Sequence, residues 1–195
     1  MIRASILSVA IFTVILGSGY PLVVTGIANL LWPIEAKGSI VRVDGKLVGS
    51  TLIGQDFSSS GYFVGRPSAT SPKPYTSFDK VALTGSTGSN LGPLNEKQST
   101  AVSERYQQLK ARFGAQQPIP NDLLTASGSG LDPHISPAAA VYQLPTIAKE
   151  RGVDPSRIET LISQHTEKRA FGLLGEPRVN VLALNLALDE LGNRP

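Results

Sequence analysis

Residues 125–140 read TASGSGLDPHISPAAA and bring Ser127, Ser129, Asp132 and His134 close together in the chain. A hydroxyl, an imidazole and a carboxylate are the parts of a hydrolytic triad, in which the base takes the serine proton and the acid orients the base. Triads are made by geometry rather than by sequence proximity, and Ser129 lacks the Gly-x-Ser-x-Gly setting of a nucleophile elbow. Caps and turns account for these residues better, because Ser, Asp and Gly satisfy loop backbone groups. A second candidate is the glycine-rich GSTGSNLG at 85–92, whose successive amides could cradle an anion. It has no Gly-Lys-Ser/Thr ending, so a structural turn that uses glycine for positive φ is the better reading. Metal chemistry is not expected either, since the chain has two histidines, His134 and His165, and no carboxylate at ligand spacing from them. His165 falls on an apolar helical face and reads as a core or core-edge histidine. Arg66 and Arg178 each stand beside a proline in a glycine-containing turn. They are either solvated surface charges or buried anchors that bond nearby carbonyls, and the sequence does not choose.

These residues belong to a chain of 195 residues, room for one domain or one domain with an appendage. Its apolar residues, 41% of the total, are unevenly spread, because positions 4–34 carry no charge at all. Arg3 alone of the 18 basic residues precedes Glu35, which leaves 17 against 15 acidic ones in the remainder. The basic residues are scattered, without the dense run that a phosphate backbone requires, so no nucleic acid is expected as a partner. The lack of cysteine excludes disulfides, thiolate metal sites, cysteine nucleophiles and redox couples.

Positions 4–34, ASILSVAIFTVILGSGYPLVVTGIANLLWPI, are 31 uncharged residues, and a bilayer core about 30 Å thick needs roughly 20 in a helix. A cleaved signal peptide would have an apolar stretch of only about 7–15 residues and a small-x-small cleavage site, so a retained membrane helix is expected. Gly17, Gly19 and Pro21 interrupt its middle. Ala10 and Gly17 lie seven apart, as do Gly19 and Gly26, which places small residues on shared faces where another helix can approach closely. Gly17, Gly19, Pro21 and Gly26 are therefore the candidate helix-packing residues, and Trp32 fits an interfacial anchor. Arg3 on one side and Lys37, Arg42 and Lys46 on the other slightly favour a cytoplasmic carboxy-terminal domain, but that count weakens for a long translocated domain and leaves orientation open.

The rest is a mixture of early strands and late helices, which predicts an α+β domain. Asp44-Gly45, between two β-prone runs, predicts a hairpin over 39–50. Residues 54–94 are dense in Gly, Ser, Thr and Pro but hold Phe57, Tyr62, Phe63 and Tyr75, so they read as ordered loops that pack aromatics under turns rather than as a floppy linker. Val102, Tyr106, Leu109 and Phe113 share one face of a helix over 95–113, stopped by Gly114. Ser136-Pro137 opens a helix that ends at Gly152 and that Pro145 should kink or split. Asp154-Pro155 opens another, through to about Glu167. Asn180 opens a last one to Gly192, apolar widely around its axis and so buried against more than one element.

Five of these segments together resemble one family, the C subunit of the bacterial Kdp potassium-transporting ATPase, KdpC. They are the amino-terminal helix with Gly19-Tyr20-Pro21-Leu22, GYFVGRPSA at 61–69, GSNLGP at 88–93, the 125–140 run, and GEPRVNVLALNLALD at 175–189. The resemblance covers nearly the whole chain, in the family's order and approximate spacing. Leu94 departs from the threonine found in many relatives.

The resemblance implies an accessory membrane subunit of a four-part, ATP-driven potassium pump. Residues 1–34 would be a transmembrane helix with a short tail and 35–195 one soluble extracytoplasmic domain, the amino terminus lying in the cytoplasm of a bacterial plasma membrane. Its partners would be the ATP-hydrolysing, channel-like and small membrane subunits, with the lipid bilayer around them. The chain would be no enzyme and hold no cofactor tightly, ATP entering only through the complex. Assembly, stabilisation and a catalytic-chaperone effect that raises the ATP affinity of the hydrolysing subunit are the implied roles. Arg66, Asn90, Asp132, His134 and Arg178 are the candidate domain or interface anchors. The competing expectations are a membrane-anchored envelope hydrolase and a solute-binding module.

Overall fold

The computed structural model describes residues 2–114 and 117–192, and the chain divides into two compact units, Met1–Ser50 and Thr51–Pro195. In the first, α1 (Ile2–Val14), a π-helical turn (Ile15–Gly19) and α2 (Tyr20–Leu31) run on as one apolar helix of 30 residues, about 45 Å at 1.5 Å per residue. That length spans a bilayer core, and none of its side chains is buried. The wide turn falls where Pro21 demands it. Proline has no N–H to offer the carbonyl of Gly17, and its ring crowds that carbonyl, so the backbone opens to a longer register in which the Tyr20 N–H reaches Ile15. Trp32 takes an extended φ of −135° ahead of Pro33, as a residue before proline must, and the short α3 (Pro33–Ala36) follows. Strands β1 (Ile40–Val43) and β2 (Lys46–Ser50) then form the expected hairpin, with a bulge between Val41 and Arg42. Asp44 and Gly45, at φ of 49° and 75°, supply its tight turn.

In the second unit, loops carry the chain through the two-residue pair β3 (Phe78–Asp79) and β4 (Thr84–Gly85) to α4 (Glu96–Phe113). Asn95 caps that helix by accepting the Lys97 N–H at 2.9 Å, and Gly114 ends it. Its apolar face is used at one end only. Leu109 and Phe113 pack on the core and border a groove, while Tyr106 stays 40% exposed. The short α5 (Asn121–Leu124) was not foreseen; its Asp122 carboxylate accepts the Ser136 N–H and hydroxyl. Ser136 in turn caps α6 (Pro137–Arg151), which Pro145 does not split. Pro145 and Val141, whose carbonyl it leaves unbonded within the helix, both lie on the exposed side, where water can serve that group. Asp154 caps α7 (Pro155–Gln164), which stops short of the expected end at Glu167. The His165 ring meets the Leu161 carbonyl at 3.0 Å and the Thr166 hydroxyl donates to Ile162, so the last carbonyls are satisfied and the chain is free to turn into a strand.

That strand, β6 (Thr166–Glu167), pairs with β7 (Arg178–Asn180), which pairs on its other edge with β5 (His134–Ile135), all antiparallel. Asn180 accepts the Ala183 N–H and starts α8 (Val181–Gly192). Phe63, Ile135, Ile147, Ile158, Val179, Leu184 and Leu188, each at most 2% exposed, form the centre of one core shared by α6, α7, α8 and the small sheet. The fold is α+β, as expected, with Phe63 as the loop aromatic driven furthest inside.

Candidate functional site

The polar chemistry of the second unit gathers around one loop segment, residues 58–66, which turns at 59–62 and joins no strand. A buried backbone without a ladder must find partners elsewhere, and here three helices send side chains to it. Asn185 of α8 accepts the Phe63 N–H and donates to the Phe63 carbonyl, both at 2.9 Å. Gln143 of α6 does the same for Val64, at 2.8 and 3.2 Å. Arg112 of α4 donates to the carbonyls of Ser58, Ser59 and Tyr62. Arg151 of α6 donates to Gly61 at 2.6 Å, lies 4.4 Å over the Tyr62 ring, and pairs with Asp189 at 2.8 Å. The Asn185 and Gln143 amides copy the donor and acceptor pattern of a neighbouring strand, and the two arginines add donors to further carbonyls.

The segment leads into a knot of loops. The Tyr75 ring fills the space beside Gly54 and Gly65, where a Cβ on Gly54 would come within 2.7 Å of the Asp132 carbonyl, and the Tyr75 hydroxyl donates to the Arg66 carbonyl. Burial, with the Asp56 and Asp132 charges adding to it against Arg66, pushes the Tyr75 phenol well above its ordinary value. Ser68 accepts the Tyr75 N–H and donates to Gly130, while Ser127 donates its N–H to Pro67, so the 66–75 and 127–132 loops are stitched together. Gly130 sits at φ of 68°, and a Cβ there would meet the Thr87 carbonyl at 2.5 Å.

Within this knot the structure brings together Arg66, Asp132 and His134. Arg66 Nη1 lies 3.1 Å from Asp132 Oδ2, and His134 lends both its backbone N–H, at 3.0 Å, and its ring Nδ1, at 3.5 Å, to Asp132 Oδ1. Burial alone would raise the Asp132 pKa; the His134 and Arg66 contacts outweigh it and hold the carboxyl below its usual range. Arg66 Nε is buried without a partner. The triad geometry is not assembled, because Ser129 Oγ accepts the Leu131 N–H and no hydrogen bond joins Ser127 or Ser129 to His134 among the described residues. Asn90 stands apart, exposed at φ of 52°. Arg178 is 57% exposed and pairs with Glu167 across β6 and β7. Of the two arginines left open by the sequence, Arg66 is thus a half-buried anchor, bonded to a carboxylate rather than a carbonyl, and Arg178 a surface charge. Among the described residues no group of His, Asp and Glu is placed to hold a metal ion.

The sequence did not single out Asn185, Gln143, Arg112 or Arg151, whereas Tyr75 was among the aromatics expected to pack under turns and does so. One signal was present: Asn185 is a lone amide in the apolar run VLALNLALD, on a helix read as buried on several sides.

In the first unit Gly17 and Gly19 lie inside the π-helical turn and Pro21 just after it, with Gly26 a further two turns along. The Ala10 to Gly17 spacing runs into the wide turn and leaves the α-helical face, whereas Gly19 caps α2 and its spacing to Gly26 follows α-helical backbone.

A span-length helix with no charge after Arg3, joined to a small α+β unit whose polar side chains hold its loops, defines a membrane-associated protein with a loop-rich domain. Comparison with known proteins narrows the class. The family described as KdpC, K+-transporting ATPase, c chain, matches residues 2–190. The potassium-transporting ATPase KdpC subunit of Dechloromonas aromatica (strain RCB) is 50% identical over 192 residues, covering 98% of this chain and 97% of that protein. Those of Sorangium cellulosum (strain So ce56) and Methylococcus capsulatus are 50% identical over 190 residues each, covering 96% and 97% of this chain and the same shares of theirs. The chain belongs to the KdpC family and is a membrane-associated subunit of a K+-transporting ATPase.

Proposed function

We propose that this chain is a non-catalytic accessory subunit that assembles and steadies an ATP-driven potassium uptake pump in a bacterial plasma membrane. The amino terminus lies in the cytoplasm and the second unit outside. The partners are the ATP-hydrolysing, channel-like and small membrane subunits, and the helix packs against the channel-like one, whose ion entrance the outer domain steadies. The observation that carries this reading is the long apolar helix, opened by a π-helical turn at Gly17 and Gly19. An opened turn in lipid is best tolerated where a neighbouring helix covers it, and small residues let that neighbour approach. The helix has no charge between Arg3 and Glu35 from which to build an ion path of its own. A catalytic-chaperone effect on ATP affinity, with ATP confined to the cytoplasm, is then a coupling free energy transmitted through the membrane partners, and the chain itself holds no nucleotide.

The test replaces Gly19 and Gly26 together by leucine and measures copurification of the channel-like and ATP-hydrolysing subunits. A Cβ on Gly26 meets nothing within 4 Å, and one on Gly19 meets only the Val14 carbonyl, at 3.7 Å, so the helix itself accommodates both changes. Loss of the partners therefore reports on a covering helix, and unchanged copurification refutes the packing. Ser59→Cys, at an exposed position in a chain without cysteine, fixes the orientation through labelling of intact cells by a membrane-impermeant maleimide.

A further inference from the structure

Among the described residues four arginines from Thr51 onward are half-buried: Arg66, Arg105, Arg112 and Arg151. Arg66 and Arg151 each meet an aspartate at 3.1 Å or less. Among the described residues Arg105 and Arg112 have no carboxylate within 4 Å; their partners are main-chain carbonyls, that of Leu124 at 3.0 Å for Arg105 and those of Ser58, Ser59 and Tyr62 for Arg112. Taking a guanidinium out of water without an anion is unfavourable, and burial lowers the pKa of both. Their positions on α4 are seven apart, so both project from one face, with Gln108 between. That face borders an open-sided groove of about 340 Å³, with Phe57, Leu109 and Phe113 as apolar surface and the exposed Asp56 at its edge.

We propose that this groove binds an amphiphilic anion, a phosphate group carried on an apolar body, which Arg105 holds by charge-assisted hydrogen bonds. A guanidinium has five N–H donors, and Arg105 spends one on Leu124. With the Gln108 amide beside it, the groove offers more donors than a carboxylate's two oxygens use well, and a phosphate presents three. The apolar wall gives the remainder of the ligand a dry face. The nearby acids do not fill this role: Asp56 lies beyond ion-pair distance of both guanidiniums, and Glu104 and Glu150 act only through space.

This inference goes beyond the subunit role above and is read on the isolated full-length chain, so its failure leaves the copurification test untouched. Calorimetric titration in a neutral maltoside detergent uses three probes: dihexanoyl phosphatidylglycerol, dihexanoyl phosphatidylcholine and sodium phosphate. Saturable binding of the phosphatidylglycerol is expected, weakened about tenfold by Arg105→Gln, the loss of one charge-assisted hydrogen bond. Asp56→Asn should tighten it, since the competing carboxylate is gone, and a merely structural role for Arg105 gives no reason for that gain. If sodium phosphate binds as tightly with the same Arg105 dependence, the apolar body contributes nothing and the proposal fails; binding of the phosphatidylglycerol alone supports it. Equal binding of phosphatidylcholine, no saturable binding of either anion, or affinity unmoved by Arg105→Gln overturns the proposal.

Discussion

Asn185→Leu tests the side-chain clamp most directly. Leucine keeps the branched outline of asparagine but is bulkier, so the substitution leaves no cavity and removes both hydrogen bonds, with some overpacking added. Asn185 is 1% exposed and Phe63 fully buried, so water cannot replace the lost partners. The Phe63 N–H and carbonyl, each bonded at 2.9 Å in the native chain, would both be orphaned. An unsatisfied buried group costs about 1–3 kcal/mol, hence roughly 2–6 for the pair. Burying leucine instead of an amide returns about 1.5–3 kcal/mol. Taken at their midpoints these terms leave a net loss of about 2 kcal/mol, a large share of the roughly 5–15 kcal/mol that holds a domain of this size. Urea unfolding of the full-length chain in detergent, followed by far-ultraviolet circular dichroism, gives the total. Hydrogen exchange of the peptide spanning 58–66 gives the location, since that peptide should lose protection before α6 and α8 do. Asn185→Asp should be worse, because it keeps the acceptor for the Phe63 N–H but sets a carboxylate against the Phe63 carbonyl. An unchanged midpoint together with full protection of the segment would falsify the view that side chains stand in for a missing strand.

Three further outcomes follow from the loop knot. Asp132, held below its ordinary pKa by His134 and Arg66, stabilises the fold above the unfolded carboxylate range and loses that contribution as pH falls through its folded value; Asp132→Asn should be less stable at neutral pH and show a shallower acid transition by urea titration at stepped pH. Tyr75, whose phenol is raised by burial, resists ionisation when folded, so stability should fall as pH rises above about 10, where the unfolded tyrosine ionises. Tyr75→Phe should cost about 1 kcal/mol at neutral pH through its lost bond to Arg66 yet remove that alkaline component. Gly130→Ala combines a φ of 68° with a collision against the Thr87 carbonyl and should lower the thermal midpoint well beyond Gly128→Ala, whose added Cβ meets nothing within 4 Å.

What the sequence made legible was local. Asn95, Ser136-Pro137, Asp154-Pro155 and Asn180 start helices because a cap needs only a side-chain acceptor and the amides two or three positions on. Asp44-Gly45 makes its hairpin for the same reason. The three-stranded sheet escaped because strands of two or three residues show no alternation, and its pairing of His134 with Asn180 crosses 46 positions. The end of α7 was misread because His165 continues the apolar face while its ring in fact finishes the helix. At the candidate site, the triad-like cluster was correctly weighed as turn chemistry, and Asp132 and His134 do meet. The clamps were harder to see: Asn185 stands out as a lone amide in an apolar run, but what it and Gln143 bind lies 122 and 79 positions away in the chain.

The arrangement of those clamps bears on how such a subunit acts. Phe63 is locked in the core, and Arg112, Gln143, Arg151 and Asn185 each recognise main-chain groups at particular positions, so the 58–66 segment cannot slip by one residue without losing every partner at once. Arg66, two residues past the last clamp, then ties the segment to Asp132 and through it to β5. Transmission of a signal through a domain requires an element with two arrangements of similar energy. This region has one arrangement far below any shifted alternative, because every shift orphans buried polar groups. On the role proposed for it, the chain would influence the ATP affinity of a partner by holding that partner in a single geometry. Any switching would lie in the partner and in the helix at its Gly17 and Gly19 turn, where an i−5 bond replaces the α-helical one and the backbone is least committed.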